Sequence, residues 1–140
     1  MDSINLSRPE LYINRELSLL QFNRRVLEQA KDPDLPVLER LKFLCIAGTN
    51  LDEFFEIRVA GLKQRIASGS VQAGPDNFSP TEVMSHISDQ AHRLVDEQYR
   101  VLNEELIPLL AKENIRFLKR TQWNGQQEAW VSNYFSHELL

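Results

Sequence analysis

The chain has 140 residues, a formal net charge of −4 and 42% hydrophobic residues. This length suffices for one hydrophobic core, and the composition excludes collagen-like, low-complexity and intrinsically disordered chains. Residues 1–66 hold ten Lys+Arg and ten Asp+Glu, whereas residues 67–140 hold six and ten. Bulk electrostatic binding of nucleic acid is therefore not expected. Any polyanion is expected to meet the first half of the chain.

The longest apolar run and the cysteine content predict a cytoplasmic protein. The run covers residues 43–47, far short of the roughly 20 residues of a membrane-spanning helix. No signal-peptide pattern is present at the start. The single cysteine, Cys45, lies within this run, so it is predicted to be a core residue and no disulfide framework is expected.

The first predicted helix begins after Asn14, a plausible N-cap, and ends near Lys31, before a cluster of Asp and Pro. Helical spacing places six apolar side chains on one face, which is predicted to be buried. They are Leu19, Leu20, Phe22, Val26, Leu27 and Ala30. Asn23 lies in the middle of this face. Its amide either makes a structural hydrogen bond or contributes to a site.

The second helix is predicted to start at Pro36 and to end at Gly48, and the third to begin at once with Asn50 as its N-cap. Free N–H groups at such a helix start attract an anion or a polar ligand edge. Asn50 is therefore either only a cap or also a ligand-recognition residue. Arg58 is expected to meet an acidic partner or to lie at the mouth of a cleft.

A long helix is predicted from Ser79, which is followed by Pro and then Glu in a capping-box pattern. Pro108 is expected to kink or break it, and Asn114 to cap its end. Residues 115–118 form a short β-compatible run. A last helix starts near Asn124 and reaches the end of the sequence without a stop signal, so this segment is expected to open a following domain.

A search for catalytic motifs is negative, and no catalytic residue or metal site is predicted in this chain. His86 and His92 are six residues apart, which is unsuited to shared metal ligation on a helix, and both are predicted at the surface. The acidic residues Asp52, Glu53 and Glu56 admit two interpretations. They either complement a helix N-terminus or form an acid pair or metal site.

Three segments have a specific pattern. Residues 12–27 read YINRELSLLQFNRRVL, residues 36–44 read PVLERLKFL, and residues 49–62 read TNLDEFFEIRVAGL. In this order and spacing they resemble the N-terminal region of bacterial polyphosphate kinase, densely over residues 11–66 and more weakly to the end. One departure is Leu19, where that family often has Trp.

The resemblance implies an all-α fold: a bundle of about four helices with a long C-terminal helix over residues 1–112. Residues 113–140 would be the beginning of an α/β middle domain. The parent enzyme would reversibly transfer the γ-phosphate of ATP to inorganic polyphosphate through a phosphohistidine, with Mg²⁺. Its histidines and metal ligands would lie beyond this chain, so His86, His92 and His137 are not assigned to catalysis. The chain alone is expected to be inactive.

The resemblance also implies that Asn50 contacts ATP and that Phe43 helps to enclose the adenine. Expected partners of the parent are ATP, polyphosphate and further copies of itself, with peripheral membrane association allowed and no nucleic acid. The alternative is a helical module without a ligand that self-associates through the long helix starting at Pro80.

Overall fold

The computed structural model describes residues 5–139 and confirms the predicted all-α class, with no strand among these residues. The α-helices are α1 (Arg15–Lys31), α2 (Val37–Glu53), α3 (Ala60–Ala67), α4 (Pro80–Arg100), α5 (Ile107–Lys112) and α6 (Gly125–Tyr134). Single 3₁₀ turns occur at Pro9–Leu11 and Arg120–Gln122, and π-helical turns at Phe54–Val59, Val101–Leu106 and Phe135–Leu139. No described helix is long and apolar enough to cross a bilayer.

The predicted N-cap of α1 is confirmed. Asn14 Oδ1 accepts hydrogen bonds from the backbone N–H groups of Glu16 and Leu17, both at 3.1 Å. Its Nδ2 donates to the carboxylate of Asp76 at 2.7 Å. One side chain therefore starts the helix and also holds the loop that precedes α4 against it.

The second predicted helix does not end at Gly48. Segment α2 (Val37–Glu53) continues through the π-helical turn Phe54–Val59 into α3 (Ala60–Ala67) with right-handed helical backbone angles at both junctions. The predicted C-terminal cap at Gly48 and the predicted N-cap at Asn50 are therefore wrong. Asn50 lies inside a continuous helical rod.

The apolar pattern of α2 explains why the rod continues. Buried side chains recur every three or four residues on both sides of Gly48, so helical packing against the rest of the core outweighs the weak local stop signal. They are Leu44, Ala47, Leu51 and Phe54. The Asn50 amide takes part in a tertiary hydrogen bond instead of capping.

Gly48→Ala is expected to raise the free energy of unfolding by about 0.5–1 kcal/mol, because glycine in a helix interior is less favourable than alanine by that amount. A Cβ at Gly48 meets no atom within 4 Å. Urea unfolding followed by circular dichroism measures the change. Gly69→Ala is the control and should destabilise, since Gly69 has φ +75°. A loss of stability in both variants would contradict a continuous helix at Gly48.

The long C-terminal helix is confirmed at both ends. Ser79 and Glu82 form the predicted capping box: the Ser79 N–H donates to Glu82 Oε2 at 2.8 Å and the Glu82 N–H to Ser79 Oγ at 3.3 Å. At the other end, Asn114 has the left-handed φ of 62° typical of a helix stop. The Ile115 N–H then donates back to the carbonyl of Leu110 at 2.9 Å.

Pro108 does not break this helix. The π-helical turn Val101–Leu106 precedes it and α5 (Ile107–Lys112) carries it in its first turn. A proline lacks the N–H that would bond four residues back. The longer hydrogen-bond spacing of the π-helical turn just before Pro108 accommodates this loss. The helix therefore continues from α4 into α5, with Val101, Leu106 and Leu110 fully buried.

The core lies where α1, the α2–α3 rod and α4 meet, and a charged side chain is buried there. Arg40 is 6% exposed. Its Nε donates to the carbonyl of Ala30 at 2.7 Å, and its Nη2 donates to Glu105 at 2.9 Å. One guanidinium thus satisfies a carbonyl at the end of α1 and joins α2 to the π-helical turn after α4.

A second polar link joins α1 to α4 at the edge of the core. Lys31 Nζ lies 2.7 Å from Glu97 Oε1 and 2.6 Å from Glu28 Oε1. The hydrogen bond from Lys31 lowers the pKa of the Glu97 carboxyl. Burial alone would lower the pKa of Lys31, but its hydrogen bonds to Glu28 and Glu97 raise it overall. Both groups are therefore held in their charged forms.

The part after α5 differs from the prediction of an α/β segment. Residues 115–118 belong to no helix or strand, and no second α/β domain is visible in residues 5–139. Helix α6 buries none of its side chains; Trp130 and Tyr134 stack on each other at 5.3 Å and remain exposed. A domain boundary near residue 112 stays a prediction.

Candidate functional site

A cleft of about 320 Å³ opens between α1 and the junction of α2 with its π-helical turn. Its volume lies at the small end of the range for ligand pockets. Its lining is Leu19, Leu20, Phe22, Asn23, Asn50, Leu51, Glu53, Phe54, Ile57 and Arg58. Apolar side chains form most of the wall, with two amides and two charged groups among them.

The apolar wall includes side chains that were predicted to be buried in the core. Phe22 is 52% exposed, and Leu19 is also exposed. The predicted face of α1 was wider than α1 can bury: Leu20, Leu27 and Ala30 are covered by neighbouring helices, whereas the flank with Leu19 and Phe22 forms one side of the cleft. Leu19, the position where the family often has Trp, therefore contributes to the shape of this cleft.

Two asparagines form the polar part of the cleft. Asn23, 4% exposed, donates from Nδ2 to the carbonyl of Ala47 at 2.8 Å. Asn50 donates from Nδ2 to Asn23 Oδ1 at 3.1 Å. The structural hydrogen bond predicted for Asn23 is confirmed, and Asn23 also lines the cleft, whereas its contribution to a site stays a prediction. Asn50 is half-buried, and its Oδ1 and second N–H have no hydrogen-bond partner among the described residues.

The charged groups of the cleft are Glu53 and Arg58. Arg58 is half-buried and makes no ion pair within residues 5–139. Of its two predicted environments, the structure favours the mouth of a cleft. Because the helical rod continues through Asn50, no free N–H groups of a helix start lie here, and the predicted helix-terminus site is absent from this position.

The acidic residues Asp52, Glu53 and Glu56 also lie inside the continuous helical segment. They do not lie at a helix N-terminus, so they do not complement one. Nor do residues 5–139 hold a group of three or more His, Cys, Asp or Glu side chains placed to bind a metal ion. All three acids are exposed on the rod.

Phe43 lies two helical turns before Asn50 and packs, partly buried, against the core. It is not among the residues that line the cleft, and its role stays a prediction. The aromatic rings at the cleft are those of Phe22 and Phe54. The sequence carried a signal for Phe22, because the apolar face of α1 is wider than the part of a helix that packing against its neighbours usually covers.

The remaining candidate residues lie away from the cleft. His86 meets the ring of Phe78 edge to face at 5.3 Å, and His92 Nδ1 lies 2.7 Å from the carbonyl of Ser88; both histidines are exposed, as predicted. Cys45 is exposed, so its prediction as a core residue is wrong. It lies on the side of α2 that borders a second groove.

Fold and cleft define an all-α domain with a small, mainly apolar cleft, at which Asn50 has an oxygen and an N–H without a partner in residues 5–139. Residues 12–118 match the family model described as the polyphosphate kinase N-terminal domain. The chain belongs to this family, and the resemblance of its motifs is confirmed.

Individual relatives agree with this assignment. The chain is 53% identical over 135 residues to the polyphosphate kinase of Pseudomonas syringae pv. tomato, covering 96% of this chain and 18% of that protein. It is 44% identical over 139 residues to that of Thermosynechococcus vestitus, covering 99% and 19%. The crystal structure of polyphosphate kinase from Porphyromonas gingivalis matches with a TM-score of 0.73 and 28% identity, over 91% of this chain and 18% of that one. The chain thus spans less than a fifth of these relatives.

Proposed function

We propose that this chain is the nucleotide-contacting part of a polyphosphate kinase, and that its cleft receives the adenine end of ATP. The observation that carries the proposal is the Asn50 amide. It is half-buried between apolar walls, held by Asn23, and has a donor and an acceptor left for a ligand. An adenine edge offers an amino donor beside a ring-nitrogen acceptor, which a side-chain amide matches.

The apolar walls suit the rest of the base. Phe22 and Phe54 provide aromatic surface at the cleft, and aromatic faces are favourable neighbours for a flat heterocycle. Arg58, half-buried on the same rod, supplies a guanidinium without an acidic partner in the described residues. Such a group is suited to a phosphate oxygen of the same nucleotide.

The chemistry itself is assigned to parts of the parent enzyme outside this chain. In the proposed reaction, a histidine there accepts the γ-phosphate of ATP and passes it reversibly to inorganic polyphosphate, and Mg²⁺ is held there too. This chain orients the nucleotide and is inactive alone. The parent is proposed to be a cytoplasmic homo-oligomer that does not bind nucleic acid, with peripheral association to membranes allowed.

A second candidate function rests on a different groove. It has a volume of about 400 Å³, is lined mainly by apolar side chains, and lies between α2 and the rod that begins with α4. The Gln98 Nε2 group there is buried without a hydrogen-bond partner, and Tyr99 is exposed at its side. These features favour a self-association module as the alternative to nucleotide binding.

Hydrogen–deuterium exchange separates the two functions in a polyphosphate kinase whose N-terminal segment is this chain. With a non-hydrolysable ATP analogue, backbone exchange is expected to slow in peptides that cover residues 19–23 and 50–58. Peptides that cover residues 95–102, in the second groove, serve as the internal control and should not respond. Protection of residues 95–102 that grows with protein concentration, with no response to nucleotide at the cleft, would instead establish the alternative.

A further inference from the structure

A buried amide behind the cleft has a defined orientation. Asn23 lies among apolar side chains of α1, and its Nδ2 donates to the carbonyl of Ala47, a fully buried residue of α2. If the amide were reversed, its oxygen would face the carbonyl oxygen of Ala47 and the hydrogen bond would become a repulsion. The Oδ1 atom of Asn23 must therefore point toward Asn50.

This orientation fixes that of the next amide. Asn50 Nδ2 donates to Asn23 Oδ1 at 3.1 Å, and reversal of Asn50 would place two amide oxygens against each other. Ala47, Asn23 and Asn50 thus form a chain of hydrogen bonds with one direction. The carbonyl oxygen of Asn50 is held in one place at the cleft, whereas a free asparagine side chain would exchange its oxygen and nitrogen positions by rotation.

We propose that Asn23 is a positioning residue that fixes the donor and acceptor pattern of Asn50 and thereby selects adenine over guanine. Adenine carries an amino donor where guanine carries the O6 acceptor. An Asn50 oxygen held toward that position binds the amino group and repels O6. The inference rests on the proposed function, since it requires the base to contact Asn50.

A double-mutant cycle tests this role by steady-state kinetics in a polyphosphate kinase whose N-terminal segment is this chain. The variants are Asn23→Leu, which keeps the branched shape with the same number of side-chain heavy atoms and removes both hydrogen bonds, Asn50→Ala, and the two combined. Asn23→Leu is expected to raise the KM for ATP about three- to tenfold. It should also reduce the preference for ATP over GTP and leave kcat at saturating ATP unchanged.

In the Asn50→Ala background, Asn23→Leu should have no further effect on the KM for ATP, because its action passes through Asn50. Gln29→Leu removes an exposed amide from the same helix and is the matched control, with no change expected in either nucleotide. Asn23→Ser, whose hydroxyl is too short to reach both partners, serves as a second variant if Asn23→Leu does not fold.

The outcomes separate the two claims. Suppose that Asn50→Ala raises the KM for ATP. The positioning role is then refuted, while nucleotide contact stands, if Asn23→Leu alone has no effect on this KM or if it raises the KM further in the Asn50→Ala background. If Asn50→Ala leaves the KM unchanged, the proposed nucleotide contact is refuted, and the positioning role with it. An unaltered ATP to GTP preference in Asn23→Leu counts against the selectivity claim.

Discussion

Phe54→Ala is expected to lower the free energy of unfolding of this chain by about 3–5 kcal/mol. Phe54 is 7% exposed and belongs both to the core and to the wall of the cleft. Removal of the ring loses the free energy gained by burying it, and it leaves a cavity that the surrounding helices cannot fill by moving closer. Urea unfolding of the variant and the unchanged chain, monitored by circular dichroism, gives the difference.

Phe55→Ala is the matched control, because the two rings are adjacent in sequence and differ in burial. Phe55 is 41% exposed and meets Phe54 edge to face at 5.8 Å. Its loss should cost about 1 kcal/mol or less. Equal losses for the two variants would contradict a buried Phe54 beside an exposed Phe55.

Local chemistry is the part of the fold that the sequence predicts well. Asn14, Ser79 and Asn114 are helix ends in the structure as predicted, because each depends on hydrogen bonds or backbone angles within a few residues. A side chain with an oxygen between a loop and a segment of helically spaced apolar residues usually caps the helix that follows. Residues close by in the sequence are sufficient to specify such a position.

The failed predictions depend on contacts between distant residues. Gly48 and Asn50 carry the same local signals as a helix end, but the core packs against both sides of them and the helix continues. Phe54 continues the buried helical spacing of Leu51, whereas Phe55 lies outside that face and is exposed.

The candidate site shows the same division. The resemblance of the sequence indicated Asn50, whereas the local argument for it, a position at the start of a helix, was wrong. The hydrogen bond from Asn50 to Asn23 joins residues 27 positions apart and has no local signal. Nor does the sequence predict Arg40, whose partners Ala30 and Glu105 lie 10 and 65 positions away. Only the packing of the helices brings these groups together.

Asn50→Ala is expected to have the largest effect on function. It removes the one amide that offers a donor and an acceptor in the cleft, and a paired contact of this kind contributes about 1–3 kcal/mol. That range corresponds to an increase of about 5- to 150-fold in the KM for ATP. The kcat at saturating ATP should change little, since the phosphoryl-transfer groups are proposed to lie elsewhere.

The most direct test of the central claim is therefore the KM for ATP of Asn50→Ala, measured in a polyphosphate kinase whose N-terminal segment is this chain. Thr49→Ala, an exposed neighbour on the same helix, is the matched control and should leave the KM unchanged. A contact between Asn50 and ATP predicts a rise of about 5- to 150-fold in KM with kcat nearly constant for Asn50→Ala alone. A KM equal to that of the Thr49→Ala control, or a loss confined to kcat, would contradict it.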